Sequence, residues 1–463
     1  MRWAIESRSR LARWNRSTTL APKPRLLEHP VAWALQLFGE VRPGEAGTVL
    51  LLSLNVFLLL TAYYLLKVVR EPLILLHGGA EVKSYASVGQ SVLLIGVASA
   101  YGWLATRLGR RVLITAVTLF FAIDLIVFWG LGTRGIPLGI PFFLWVGIYN
   151  LVTVAQFWGF AAEIYTEEQG RRLFPIVGMG SSIGAVSGAV IAAHLIRRGS
   201  PFMLMLVAAA ILVSTLILYN LVWRGESGSA ARVGSPSPPV SDAPLGAGSG
   251  FGEVVRDRYL LLIALLIFIL NIVTKTGDYV LDRLLLAQGA AQAHALGVTA
   301  SVYVGQFKAR YFEWINVLGV VLQSLFVSRV IRYAGLRVAL IFVSLASLGG
   351  YGVAAIAPVI GVLFAGRVIE SSLDYSLSNT IRQMLWLPTS REAKYKAKQV
   401  VDTFVVRAGD AFSAGLVWIG AMFAIRPHTF IVLNVGLAAL WVLTAWYLGR
   451  EYARRSEATG FRP

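Results

Sequence analysis

Between residues 47 and 449 the chain alternates long apolar runs with short stretches that carry Arg, Lys, Gly and Pro. A helix needs roughly 20 apolar residues to cross a bilayer, because in hydrocarbon every backbone amide must be bonded within its own helix. The pattern predicts twelve such helices. Six lie near 47–70, 84–106, 112–132, 140–163, 174–196 and 201–223, and six near 257–279, 307–329, 336–355, 356–383, 399–424 and 428–449. The intervening RGESGSAARVGSPSPPVSDAPLGAGSG is rich in Gly, Ser, Ala and Pro, cannot bury a core and predicts a flexible linker. The expected fold class is therefore an all-α membrane protein, with twelve transmembrane helices in two pseudo-symmetric six-helix bundles. Its expected divisions are an N-terminal segment (1–46), a first bundle (47–223), a linker (224–252), a second bundle (253–449) and a tail (450–463). Within the N-terminal segment, PVAWALQLFGEVRPGE reads either as a partly ordered tail or as an amphipathic surface helix. In the helical case Val31, Ala34, Leu35 and Phe38 share one side.

Composition agrees with a lipid environment. The 463 residues are 56% hydrophobic and only 14% charged, and a soluble chain of this length needs more polar surface. The net charge of +18 sits in short clusters between apolar runs, which is the pattern of membrane loops and not of a nucleic-acid-binding face. On the positive-inside rule, Arg107, Arg110, Arg111, Arg224, Lys394, Lys396, Lys398, Arg450 and Arg454 mark the cytoplasmic loops. Lys83, Arg134, Lys308, Arg310 and Arg426 fall in the sparser outer ones. Both termini are then cytoplasmic, and the expected location is a bacterial inner membrane. There is no cysteine, which excludes disulfides and thiol chemistry. No P-loop, Rossmann glycine pattern, HExxH or GxSxG occurs, and the five histidines are scattered. The chain is expected to be no enzyme and to need no cofactor, drawing its energy from a gradient or from exchange.

The halves echo each other. GWLATRLGRRVLI (102–114) follows the second run and VIRYAGLRVALI (330–341) the eighth, so Gly109 and Arg111 match Gly335 and Arg337. Weak internal symmetry of this kind marks transporters built from repeated halves. The Gly turn with flanking arginines resembles the loop between spans two and three of the major facilitator superfamily, with Thr106 where that motif usually has Asp.

Charges inside spans are the informative positions, since each costs about 2.5–3.5 kcal/mol at mid-bilayer unless paired or hydrated. Lys67, Arg70 and Glu71 share a helical face, and Pro72 is expected to disrupt the helix beside them, giving either an anion site or an ion pair on the outer rim. Lys275, Asp278 and Asp282 share a face of the seventh span, as a cation or proton site or a helix-helix clamp. Arg367, Glu370 and Asp374 on the tenth span, with Arg382 beyond, make a site or an intrahelical salt-bridge stripe, and the eleventh carries Asp402, Arg407 and Asp410. Gly180, Gly184 and Gly188 form a row suited to close helix packing.

Three ordered motifs carry a more specific resemblance. LKVVREPLILLHGGAE (66–81) resembles the L-R-D-T-K-D-T-L and following G-A-E of the ATP:ADP antiporter family of nucleotide transporters, with Lys67, Arg70 and Glu71 at charged positions. QFWGFAAEIYTEEQGRRLFPIVGMGSSIG (156–184) is similar to its F-W-G-F-A-N and E-A-K-R-F-Y-P-L-F-G-x-G-A-N, with Ser182 in place of the last Asn. SNTIRQMLWLPTSREAKYKAKQVVDTFVVRAG (378–409) is similar to its T-K-E-M-A-Y-I-P and K-x-K-x-x-I-D-x-x-x-x-R-x-G-K. Lys396, Lys398, Asp402, Arg407 and Gly409 fall in step there, and Asp410 stands where the motif closes with Lys. The resemblance implies a major-facilitator-like fold and exchange of nucleotides such as ATP and ADP, as a divergent member.

The expected protein is thus an alternating-access carrier of a nucleotide or another phosphorylated anion. Lys67, Arg70, Lys275, Arg367 and Arg407 would face the anion, and Glu71, Asp278, Glu370, Asp402 and Asp410 would gate or couple. Two other readings stand beside it: a proton-coupled carrier of a different solute, and a membrane scaffold or receptor with a transporter fold. The expected partners are the anionic small molecule and the bilayer, with no nucleic acid and with a monomer the favoured state.

Overall fold

The structure is a computed structural model, and it describes residues 41–42, 45–165, 167–198, 200–229, 250–390, 393 and 397–458. The amphipathic stretch at 31–38, most of the linker and the end of the tail lie outside the described residues, as do Lys394 and Lys396.

The first helix, α1 (Ala46–Arg107), takes in both of the first two expected spans. It is bent at Gly79, where φ is 77° and ψ is 179°. Glu71 and Lys83 lie 2.5 Å apart, whereas twelve residues along a straight helix would separate them by about 18 Å. The two arms therefore fold back on each other at the bend. The break expected at Pro72 is displaced to Gly79. Proline removes one rung of the ladder, which the helix tolerates here, but only glycine enters the left-handed region without steric penalty.

Four helices follow: α2 (Arg110–Thr133), α3 (Gly139–Ile164), α4 (Glu167–Arg198) and α5 (Met203–Ser229). After the linker come the short α6 (Gly250–Arg256), α7 (Arg258–Ala295), α8 (Ala300–Val321) and α9 (Ser328–Ile356). A π-helical turn at Leu322–Val327 joins α8 to α9, and α9 bends at Gly335, φ 76°. The tenth expected span is α10 (Ile360–Leu373), a π turn at Asp374–Ser378 and α11 (Asn379–Met384). The eleventh is α12 (Lys398–Val400), a π turn at Val401–Val405 and α13 (Val406–Met422), and α14 (Pro427–Ala458) closes the fold.

Among the described residues nine helices are long and apolar enough to cross a membrane. Three of the twelve expected spans do not stand among them as separate helices, for local reasons. The arms of α1 form one element, α8 carries Lys308, Arg310 and Glu313, and α10 runs only 14 residues before its π turn. Such turns often sit at functional sites. Apolar side chains such as Phe120, Ile123, Ile126, Ile217, Trp418 and Leu443 point outward, so the exterior suits acyl chains. The chain is an integral, multi-pass membrane protein.

Tight packing and polar ties fix the arms of α1. A Cβ on Gly180, Gly184 or Gly188 of α4 would collide with the carbonyl oxygens of Ser53, Phe57 and Thr61 on the first arm, so the glycine row is a packing seam. Gly184→Ala is expected to destabilise the protein by about 1–3 kcal/mol. Thermal unfolding in detergent checks this, and an unchanged Tm would argue against the seam. At the start of α1, Glu45 accepts hydrogen bonds from Arg172 of α4 at 3.0 and 3.2 Å. Burial pushes this carboxyl up, but Arg172, the Arg42 amide and Gln169 hold it below its ordinary value. Across the linker, α8 packs on α4 and α1, while α7 and α13 pack on α1. These contacts bring the charged stretches together.

Candidate functional site

A cavity of about 280 Å³ lies where the arms of α1 meet α7, α8, α10 and α13. Six basic side chains (Lys67, Arg70, Lys83, Lys275, Lys308 and Arg367) and five acidic ones (Glu71, Asp278, Asp282, Asp374 and Asp410) line it. Aromatic faces of Tyr63, Phe143, Tyr311 and Phe312 complete the wall. Charges in a bilayer interior survive when paired or hydrated, and most of the charged side chains here are paired.

Around the bend the charges form a cluster of ion pairs. Glu71 pairs with Arg70 at 2.7 Å and Lys83 at 2.5 Å, and its carboxylate lies 3.7 Å from Lys308. Asp282 of α7 takes Lys83 at 2.7 Å and also pairs with Lys308 of α8. Glu71, Asp282 and Lys308 are 1–2% exposed, so the core of the cluster is buried where the bend meets α7 and α8. Beside it Arg283 lies 3.4 Å from Glu81, and the Tyr279 hydroxyl donates to Glu81 at 2.9 Å. The bend of α1 is thereby tied to α7 and α8 by ion pairs.

Two further groups lie deeper. Arg367 of α10 is 1% exposed and forks between Asp278 of α7 and Glu370, both at 2.7 Å. Asp278 itself is 38% exposed and faces the cavity. On the other wall Asp410 of α13 lies 3.2 Å from Arg407 and 3.7 Å from Lys275, and Ser91 of α1 bonds both Arg407 and Asp410. Lys67 stands apart. Its ammonium sits over aromatic rings, 4.2 Å from the centroid of Phe312 and 5.0 Å from that of Tyr64. Among the described residues no carboxylate lies within ion-pair distance of it.

The structure sorts the residues expected from the sequence. Lys67, Arg70, Glu71, Lys275, Asp278, Arg367 and Asp410 all line the cavity. Glu370 is buried directly behind Arg367, and Arg407 is held at Asp410. The tenth-span charges are more than an intrahelical stripe, because Arg367 crosses to α7. Asp402 is the exception. It is 46% exposed, paired with Lys398 on its own helix and absent from the cavity wall, because its π turn carries it toward the surface. Lys83 and Lys308, expected in outer loops, belong instead to the buried cluster. The signal for Lys308 was present: Tyr311, Phe312 and Ile315 follow it at helical spacing, placing it on an inward face. For Lys83 no such signal exists, since its role depends on α1 folding back at Gly79.

Several solved structures of membrane transporters share this fold. A bacterial homolog of the human lysosomal transporter Spinster aligns at TM-score 0.55 and 14% identity, covering 90% of this chain and 99% of that one. The nucleoside transporter NupG aligns at TM-score 0.60 and 11% identity, covering 87% and 98%. The POT family transporter PepTSo aligns at TM-score 0.59 and 10% identity, covering 88% and 98%. The chain thus shares the overall fold of these structures. The profile of the TLC ATP/ADP transporter family matches residues 143–452, and the chain belongs to that family. ADP,ATP carrier protein 1 of Chlamydia pneumoniae is 22% identical over 350 residues, which cover 65% of this chain and 64% of the relative. The corresponding protein of Chlamydia muridarum is 23% identical over 349 residues, covering 65% and 63%. The match therefore spans just under two thirds of these relatives' own length.

Proposed function

We propose that this chain exchanges nucleotides of the ATP/ADP type across a bacterial inner membrane by alternating access. The observation that carries the reading is a cavity walled by buried cations and aromatic rings, in a chain of the TLC ATP/ADP transporter family. Phosphate oxygens need several donors, and Arg and Lys supply them. Lys67, Arg70, Lys275, Arg367 and Arg407 are the cations assigned to the phosphates. Lys67 is foremost, because its charge has no carboxylate partner among the described residues. Glu71, Asp278, Glu370 and Asp410 gate the site by competing for those cations, and Asp402 acts only at the periphery. The rings of Tyr63, Tyr311 and Phe312 offer a face for the base.

The proposed architecture is twelve spans in two six-helix halves, with the arms of α1 as the first two. Both termini are cytoplasmic, in keeping with the basic loops. The ion cluster at the bend then closes the outer side, and the cavity communicates with the cytoplasmic one.

Counterflow in proteoliposomes tests the function. Labelled ATP should enter saturably when the vesicles hold ADP, and Lys67→Met should lower that rate at least about tenfold, as loss of a charge-assisted contact does. Uptake that ignores internal ADP and follows only a pH gradient would replace exchange with proton coupling. No uptake under any condition would leave another solute or a scaffold role.

A further inference from the structure

The cations of the cavity differ in how firmly they are held. Lys83 and Lys308 each lie between the carboxylates of Glu71 and Asp282, and Arg367 lies between Asp278 and Glu370. Lys275 and Arg407 share one carboxylate, Asp410, and no other acid of the described residues lies within ion-pair distance of either. The contact is loose. Arg407 Nη1 is 3.2 Å from Oδ2, while Lys275 Nζ stands 3.7 Å from Oδ1, beyond hydrogen-bond reach. Asp410 Oδ1 is a buried acceptor with no hydrogen-bond donor. Exposure is unequal as well. Asp410 is 4% exposed, whereas Lys275 is 39% and Arg407 40% exposed. Lys275 and Asp410 both line the cavity, and Arg407 stands beside Asp410 with 40% of its side chain exposed, so an anion in the cavity meets this group directly.

Serines across the linker hold the group in place. Ser91 donates to Asp410 Oδ2 at 3.2 Å and accepts from Arg407 at 2.7 Å, and Lys275 donates to Ser87 at 3.4 Å. The charges thus belong to the contact between α1 and the helices α7 and α13, the contact that must close and reopen during transport.

We propose that Asp410 is a tethered counter-anion. It offsets one of the two positive charges of Lys275 and Arg407 when the cavity is empty and yields both cations to the phosphate of an incoming substrate. The inference rests on the reading of the cavity as a phosphate site. Closing helices over two unneutralised cations is strongly unfavourable, because a buried charge without a partner loses its hydration for nothing in return. An exchanger lacking such an acid returns only when loaded. This chain carries its own acid, so its empty form also reorients, and it supports net uptake as well as exchange. Asp410 acts through the two cations, as a positioning residue.

The test compares uptake of labelled ATP into vesicles holding ADP and vesicles holding none, for the wild type, Asp410→Asn and Asp410→Glu. The wild type should fill both kinds, those holding ADP faster. In Asp410→Asn the ratio of exchange to net uptake should rise by about tenfold or more, while Asp410→Glu, which keeps the charge, should stay near the wild-type ratio. An unchanged ratio in Asp410→Asn, an equal rise in Asp410→Glu, or a wild type that exchanges but never fills ADP-free vesicles would overturn the proposal. If Asp410→Asn does not fold, adding Lys275→Gln restores the wild-type sum of charge, so the double variant should return to near the wild-type ratio, and a ratio raised about tenfold there would overturn the proposal.

A second readout separates this inference from the exchange reading. The chain has no cysteine, so spin labels at Ile136→Cys and Leu296→Cys, in loops at the bend end, report its opening directly. Without substrate the wild type should populate open and closed distances and Asp410→Asn a single one, with inorganic phosphate restoring the second. If the wild type moves no ATP at all, exchange fails, and identical distance distributions in the two proteins would sink the counter-anion on its own terms.

Discussion

Glu71→Gln is expected to abolish transport and to lower stability by about 3–5 kcal/mol, the range for removing one member of a buried ion pair. Glu71 is 1% exposed and faces Arg70, Lys83 and Lys308 at 2.7, 2.5 and 3.7 Å. Without its charge, Asp282 alone would have to neutralise Lys83 and Lys308, and Arg70 would keep only its place against the Phe143 ring, 4.6 Å from the centroid. The like charges left behind repel across the contact between the bend of α1 and helices α7 and α8. The bend end should therefore open, and a carrier that cannot close one end does not complete its cycle. Thermal unfolding and ADP-driven ATP uptake measure the two effects together. A variant with wild-type Tm and wild-type uptake would show that the cluster neither holds the fold nor closes the cavity.

Arg367→Lys should be nearly as damaging although it conserves charge. Arg367 uses Nη1 for Glu370 and Nη2 for Asp278, each at 2.7 Å, while Tyr351 accepts from Nη1 at 3.4 Å. A guanidinium makes this fork in one plane, but an ammonium is a point charge on a shorter stem and cannot reach both acids. One buried carboxylate would lose its donor, at a cost of about 1–3 kcal/mol. Transport should fall by about tenfold or more, because Asp278 faces the cavity and its orientation depends on Arg367. Transport and Tm close to those of the wild type would mean that a simple positive charge suffices, and that the fork is irrelevant.

How much of this was legible in the sequence varied from element to element. Spans such as 112–132 and 428–449 could be placed because length and apolarity alone determine them, and they correspond to α2 and α14. The helices around the cavity were harder. The charges of α8 and the π turns within the tenth and eleventh spans interrupt the periodic pattern at the positions that carry the chemistry. The charged residues inside spans were visible for a physical reason: a charge in an apolar run needs a partner. Their pairing was not visible, since Lys275, Asp278 and Asp282 lie on one helix face yet go to Asp410, Arg367 and Lys83 respectively. Partner choice depends on how α1 and α13 stack against α7, which spacing along one helix cannot encode. Lys83 shows the limit most clearly, because a left-handed glycine four residues before it turns an outer-loop position into a buried one. Asp402 shows the converse, a charge in an apolar run that a π turn delivers to the surface.

The most direct measurement is a structure with ADP bound, read for where its phosphates lie. They should sit against Lys67, Lys275 and Arg407, with Asp410 displaced from the latter two and the base against the ring wall of Tyr63, Tyr311 and Phe312. Phosphates bound elsewhere, with Asp410 still holding Lys275 and Arg407, would contradict the assignment of this cavity as the site of exchange.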